Sequence, residues 1–124
     1  MTTTEFVSNL FAARDVLHLM HLHTKSYAEH KALGGIYPAI EEFTDSFVET
    51  YQGQVGDLIN VTSFTVSMST PDPIAYLENF CDSVLVEAKN AFATDMEQYG
   101  HYVNNIEELI STVYHTIYKL KFLK

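Results

Sequence analysis

The sequence predicts an all-α protein: one four-helix bundle, with a longer connection between the second and third helices. Three observations predict it. Apolar residues recur at three- and four-residue spacing over four long stretches. Glycine, proline and Ser/Thr clusters part those stretches. The chain has 124 residues, 47% of them apolar, which suits a single core and a single domain spanning residues 1–124.

The first helix is expected over residues 4–33, with Phe6, Leu10, Ala13, Leu17, Met20, Thr24 and Ala28 on one face and Gly34-Gly35 as the cap and first chain reversal. The second is expected over residues 37–59, with Pro38 in its first turn and a stripe of Ile40, Phe47, Tyr51, Val55 and Leu58. Gly53 and Gly56 interrupt it, each costing ~1 kcal/mol against alanine. They predict either an early end or a close neighbour.

Residues 60–73, NVTSFTVSMSTPDP, lack helix formers and form the long connection. Within it VTSFTV alternates and is β-branched, so it reads as an extended segment across the bundle or as an edge strand used in assembly. The third helix starts after Pro73, with Asp72 as its cap, and runs to about residue 99. Ile74, Cys81, Leu85, Ala88, Phe92 and Tyr99 share one side. Gly100 marks a softer break. The fourth helix covers residues 102–121, with Ile106, Leu109, Ile110, Val113, Ile117 and Leu120 inward. Tyr114, Tyr118 and Phe122 form a second strip on its flank. A helix apolar on two sides faces its own core and a partner, so a homo-oligomer is expected.

Sixteen acids against seven bases give a net charge of −9, which argues against DNA as a partner through a broad basic face. Lys119, Lys121 and Lys124 suit a helix C-terminus. No apolar run is long enough to span a membrane, and no secretory signal is legible at the N-terminus. The lone cysteine, Cys81, excludes an internal disulfide and reads as a small core residue. A cytoplasmic setting is expected. No nucleophile elbow, P-loop or zinc-protease motif occurs, and no small-molecule substrate is indicated.

Chemistry concentrates near the N-terminus. His18, His21, His23 and His30 lie within thirteen residues, and Glu41, Glu42, Asp45 and Glu49 follow. Imidazoles beside carboxylates are the raw material of an iron or zinc site. Helical steps of 100° place His21 near the core face and His18 at its edge, with His30, Asp45 and Glu49 on the far side. Glu78 of the third helix falls near the core face, so one constellation pairs His21 with Glu78 inside the bundle. It reads as a hydrogen-bonded buried histidine or as a metal ligand. The other groups His18, His30, Asp45 and Glu49 outside, as an ordinary acidic face or as a site completed by a second subunit. On one unbroken helix His18 and His30 would be ~18 Å apart and could not share an ion. The candidate metal ligands are His18, His21, His30, Asp45 and Glu49.

The run HLMHLHTKSYAEHKALGGIYPAIEEFTDSFVETYQG, with HTIYKLKFLK at the end, resembles a group of small uncharacterised proteins of tailed phages. Those in turn resemble the Dps-like miniferritins of the ferritin-like superfamily. The resemblance implies an iron site between subunits and ferroxidase-type activity. In one register His30 and Gly35 match the first histidine and its turn glycine, with Glu42, Ser46, Asp57 and Val61 at the remaining positions. In a second, Asp45 and Glu49 supply the Asp-x-x-x-Glu pair, with His18 and His30 as the histidines. The ligand motif is incomplete in both, and MTTTEF lacks the basic tail of DNA-binding members. The expected function is therefore a Dps-related phage protein that binds iron or another divalent metal in an oligomer. The alternative is a non-catalytic helical assembly or interaction protein of a phage, without metal.

Overall fold

A computed structural model describes all 124 residues, and it contains helices and no strand. Helix α1 (Thr3–His23) begins at Thr2, whose hydroxyl accepts the Glu5 N–H at 3.1 Å. It stops at Thr24, which turns extended. Ser26 then caps α2 (Tyr27–Val55) by accepting the Glu29 N–H at 3.2 Å. Ser26-x-x-Glu29 is a capping-box sequence, and it starts a new helix inside the expected first one.

The first chain reversal is therefore at residues 24–26, and Gly34-Gly35 lies within α2. Pro38 is inside α2 as well, where it cannot donate to the Gly34 carbonyl. This corrects the expected helix boundaries. The misleading signal was the glycine pair; the operative one is the short polar run Thr24-Lys25-Ser26. Its hydroxyls offer the backbone hydrogen bonds that compete with helix, and the Thr24 hydroxyl accepts the Ser26 N–H at 3.1 Å.

Helix α2 ends at Gly56, which takes φ +81°, a left-handed cap. Residues 57–72 cross the molecule without regular structure. Phe64 stacks on Phe11 of α1 with ring centroids 5.5 Å apart, so the VTSFTV run is an extended surface segment and pairs with no strand. Asp72 caps α3 (Pro73–Phe80), which passes through a π-turn at Cys81–Leu85 into α4 (Val86–Phe92). A 3₁₀ turn, Ala93–Asp95, leads to α5 (Met96–Phe122), capped by Asp95. The break before the last helix is thus at residues 93–95, and Gly100 is helical.

Helix α1 packs along α2, α2 along α5, and α4 along α5. The core joins Leu10, Leu17, Leu33, Ile36, Ile40, Leu77, Leu85 and Ile106, each fully buried. At one end aromatic rings dominate: Phe47 sits 5.1 Å from Phe6, 5.2 Å from Tyr102 and 5.7 Å from Phe92. The inward stripes of α1 and α5 are those expected up to Met20 and from Ile106 to Leu120. Val55 and Leu58, assigned to the second stripe, are exposed because α2 ends there.

The two glycines near the end of α2 separate two physical effects. Gly53 is helical with open space around its Cα, so Gly53→Ala stabilises the protein by ~0.5–1 kcal/mol. Gly56→Ala places a side chain in the left-handed region and destabilises by ~1 kcal/mol. Urea unfolding of the two variants measures the opposite signs.

Candidate functional site

The histidines meet because the chain reverses between them. His21 stands in the last turn of α1 and His30 in the first turn of α2, and their rings stack with centroids 3.7 Å apart and planes 19° apart. Each ring bonds to the other residue's main chain: His21 Nδ1 donates to the His30 carbonyl at 2.7 Å, and His30 Nδ1 donates to the His21 carbonyl at 2.8 Å. The His21 carbonyl is one of the unpaired acceptors at the end of α1, so the His30 ring acts as a side-chain cap. Carbonyl oxygens carry no proton, so the partners fix both rings with hydrogen on Nδ1 and leave each Nε2 as the remaining nitrogen.

Gly34 makes the stack possible. A Cβ added there would lie 3.0 Å from His21 Cε1 and 3.3 Å from its Nδ1. The imidazole rests directly on the backbone of α2, and glycine lets it approach without a shift.

His18 is held differently. Its ring meets Tyr37 edge-on at 4.3 Å, and its Nδ1 faces Arg14 Nη1 at 3.3 Å. A guanidinium only donates, so His18 Nδ1 is the acceptor and its hydrogen is on Nε2. Arg14 also reaches Asp15 at 3.1 Å and Glu41 at 3.7 Å, and lies 5.5 Å from the Tyr37 ring centre. Sequence reasoning missed Arg14 and Tyr37, and named Glu41 only among the nearby carboxylates, because the turn at residues 24–26 sets which residues of α1 and α2 face each other.

The candidate carboxylates do not join this cluster. Asp45 and Glu49 are exposed on α2 and form no ion pair or side-chain hydrogen bond. Glu78 is exposed on α3, and the partner of His21 is the His30 carbonyl; the proposed His21–Glu78 pair is not formed. The ~18 Å separation expected for His18 and His30 does not apply, since they belong to different helices. No three His, Cys, Asp or Glu side chains converge as a metal-binding set. The residues present in one chain therefore do not fit the iron or zinc site expected from the sequence. Burial pushes the Cys81 thiol up from its ordinary value, which keeps it protonated and unsuited to nucleophilic attack.

A second feature is a surface. On α5, Tyr114 is 52% exposed, Tyr118 49% and Phe122 71%, and Leu123 beyond the helix is 51% exposed. Tyr118 and Phe122 stack with centroids 5.7 Å apart. The other face of the same helix is buried at Ile106, Leu109, Val113, Ile117 and Leu120. This two-sided pattern is the one expected from the sequence.

The histidine stack generates a paired test. Gly34→Ala presses a Cβ against the His21 ring, which is pinned to the His30 carbonyl and must give by a few tenths of an ångström, and destabilises the protein by ~1 kcal/mol. In a His21→Ala background the obstruction is gone, and the same change becomes stabilising by ~0.5–1 kcal/mol through helix propensity. Urea unfolding of the four proteins in this cycle reads the change of sign.

A family model described as a family of unknown function (DUF5856) matches residues 21–120. The chain is also similar to an uncharacterised 14.6 kDa protein in the mobD-ri intergenic region of enterobacteria phage T4, 32% identical over 78 residues. That alignment covers 63% of this chain and 61% of the phage protein, so the chain spans less than two thirds of its relative. No solved structure matches. The resemblance to small phage proteins thus has a match, whereas neither match is described as ferritin-like or Dps-like. The matched region begins at His21 and takes in the histidine stack, Gly34 and nearly all of α5; the chain belongs to DUF5856, a family of unknown function.

Proposed function

We propose that this chain is a helical assembly or interaction protein of a phage, working by burying the aromatic strip of α5 against another protein surface. One observation carries the reading: three aromatic side chains, Tyr114, Tyr118 and Phe122, recur at four-residue spacing on an otherwise well-partnered helix, each about half exposed or more. Isolated exposed apolar residues are ordinary, but a contiguous strip rimmed by charge marks an interface. Tyrosine and phenylalanine are also the residue types enriched in such contacts. In architecture, the α1–α2 hairpin and the α4–α5 hairpin, joined by residues 57–72, are read as a four-helix bundle with a long central connection. The π-turn at Cys81–Leu85 breaks its third member.

The metal reading has a narrower support. Both Nδ1 atoms of the stack are tied to carbonyls, which is how ligating histidines are commonly held, with Nε2 left for the ion. A site for iron or zinc would need Asp45 and Glu49 of another copy to complete it.

In extracts of cells producing the protein, the wild type is expected to sediment in a complex larger than a monomer. Tyr118→Glu is expected to sediment as a monomer, and Asp45→Ala, off the strip, as wild type. A Tyr118→Glu protein that sediments as the wild type does would defeat the interface. Metal analysis after incubation with Fe(II) or Zn(II) separates the second reading. Substoichiometric metal, equal in wild type and in the Asp45→Ala/Glu49→Ala variant, is expected. About one ion per chain, lost in that variant, would favour coordination instead.

A further inference from the structure

We propose that the occupant of the α5 strip is a second copy of this chain, laid antiparallel across a two-fold axis near Tyr114; this rests on reading α5 as the interaction face. Glu107, Ser111, Tyr114, Tyr118 and Lys121 are all exposed and are spaced 4-3-4-3, the seam of a packed helix pair. Its two ends carry opposite charge. Glu107 lies seven residues before Tyr114 and Lys121 seven residues after it, each ~10.5 Å away along the axis and on the same side of the helix.

That symmetry selects an orientation. A two-fold axis at Tyr114 brings Glu107 of each copy to Lys121 of the other, twice. Parallel copies would oppose Glu107 to Glu107 and Lys121 to Lys121. An interface that maps onto itself in this way is isologous, the commonest closed arrangement of identical chains. Neither Glu107 nor Lys121 has an ion-pair partner within its own chain, so both are available. The chain's charge of −9 repels copies in general. Three of the seven basic residues, Lys119, Lys121 and Lys124, are gathered at this end of α5, where they offset that repulsion in the antiparallel pair.

The strip's three aromatic side chains offer on the order of 350 Å² per copy, against ~800 Å² per partner in a standard stable interface. The pair is accordingly of micromolar rather than nanomolar strength, and its ion pairs decide orientation more than affinity.

The test is sedimentation equilibrium of the purified full chain at concentrations from ~1 to ~200 μM, the span in which such a pair dissociates. The wild type is expected to dimerise. Glu107→Lys and Lys121→Glu alone are each expected to weaken the dimer ~10-fold, with unchanged helical circular dichroism. An equimolar mixture of the two single variants restores both cross-pairs, and so does the double variant E107K/K121E; both are expected to dimerise as wild type. A dimer indifferent to these charges, or not rescued by mixing, overturns the antiparallel pairing. A wild type that stays monomeric at the top concentration overturns the second copy as occupant. In either case the strip itself is judged separately, by whether Tyr118→Glu still loses the complex seen in extracts.

Discussion

The reciprocal bond between His21 and His30 sets the geometry from which the N-terminal half follows. Two imidazoles each satisfy a carbonyl of the opposite helix and stack on one another. Together they close the reversal at residues 24–26 and fix the relative rotation of α1 and α2. With that rotation set, Arg14 of α1 faces Glu41 of α2, and His18 reaches Tyr37. Leu10 and Leu17 then share a core with Leu33, Ile36 and Ile40. Gly34 is the sequence's concession to this contact, since a Cβ there would crowd the ring at 3.0 Å.

The same bonds explain why a histidine-rich hairpin is not by itself a coordination site. A ligand needs a lone pair aimed at a shared point. Here the stacked pair keeps its Nδ1 atoms on the backbone, His18 has its acceptor nitrogen against a guanidinium, and no third ligand side chain converges on the free Nε2 atoms. The three rings are therefore held in two different tautomers. Their polar atoms serve helix ends and a neighbouring arginine, as expected of imidazoles half-buried at a turn.

Much of the fold was legible because burial follows a simple period. The inward residues of α1 up to Met20, and those of α5 from Ile106 to Leu120, are read directly from three- and four-residue spacing. The long connection and its cap at Asp72 announced themselves by composition. The positions of the reversals did not. Gly34-Gly35 carries the strongest local turn signal, yet both glycines are helical, and Gly34 carries the His21 ring of the other helix while Gly35 has open space around it. The capping sequence Ser26-x-x-Glu29 was present but was overridden in the reading by an apolar pattern that continues past it. Among the candidate ligands the turn changed the setting of His30, which it brings onto His21; Asp45 and Glu49 face outward, as the stripe of their own helix placed them. The outward aromatic strip of α5 was legible for the opposite reason, since it depends on one helix alone.

The crossover of residues 57–72 is anchored at a few places, among them the Phe64–Phe11 stack and the bond from the Ile59 N–H to the Gln52 side chain at 2.9 Å. It behaves as a tether between two hairpins more than as a member of the core. Lengthening such a tether costs little, about 0.6 kcal/mol for each doubling of a flexible loop. Insertions and deletions are thus cheapest in this strap, where the molecule can change size while both hairpins keep their packing.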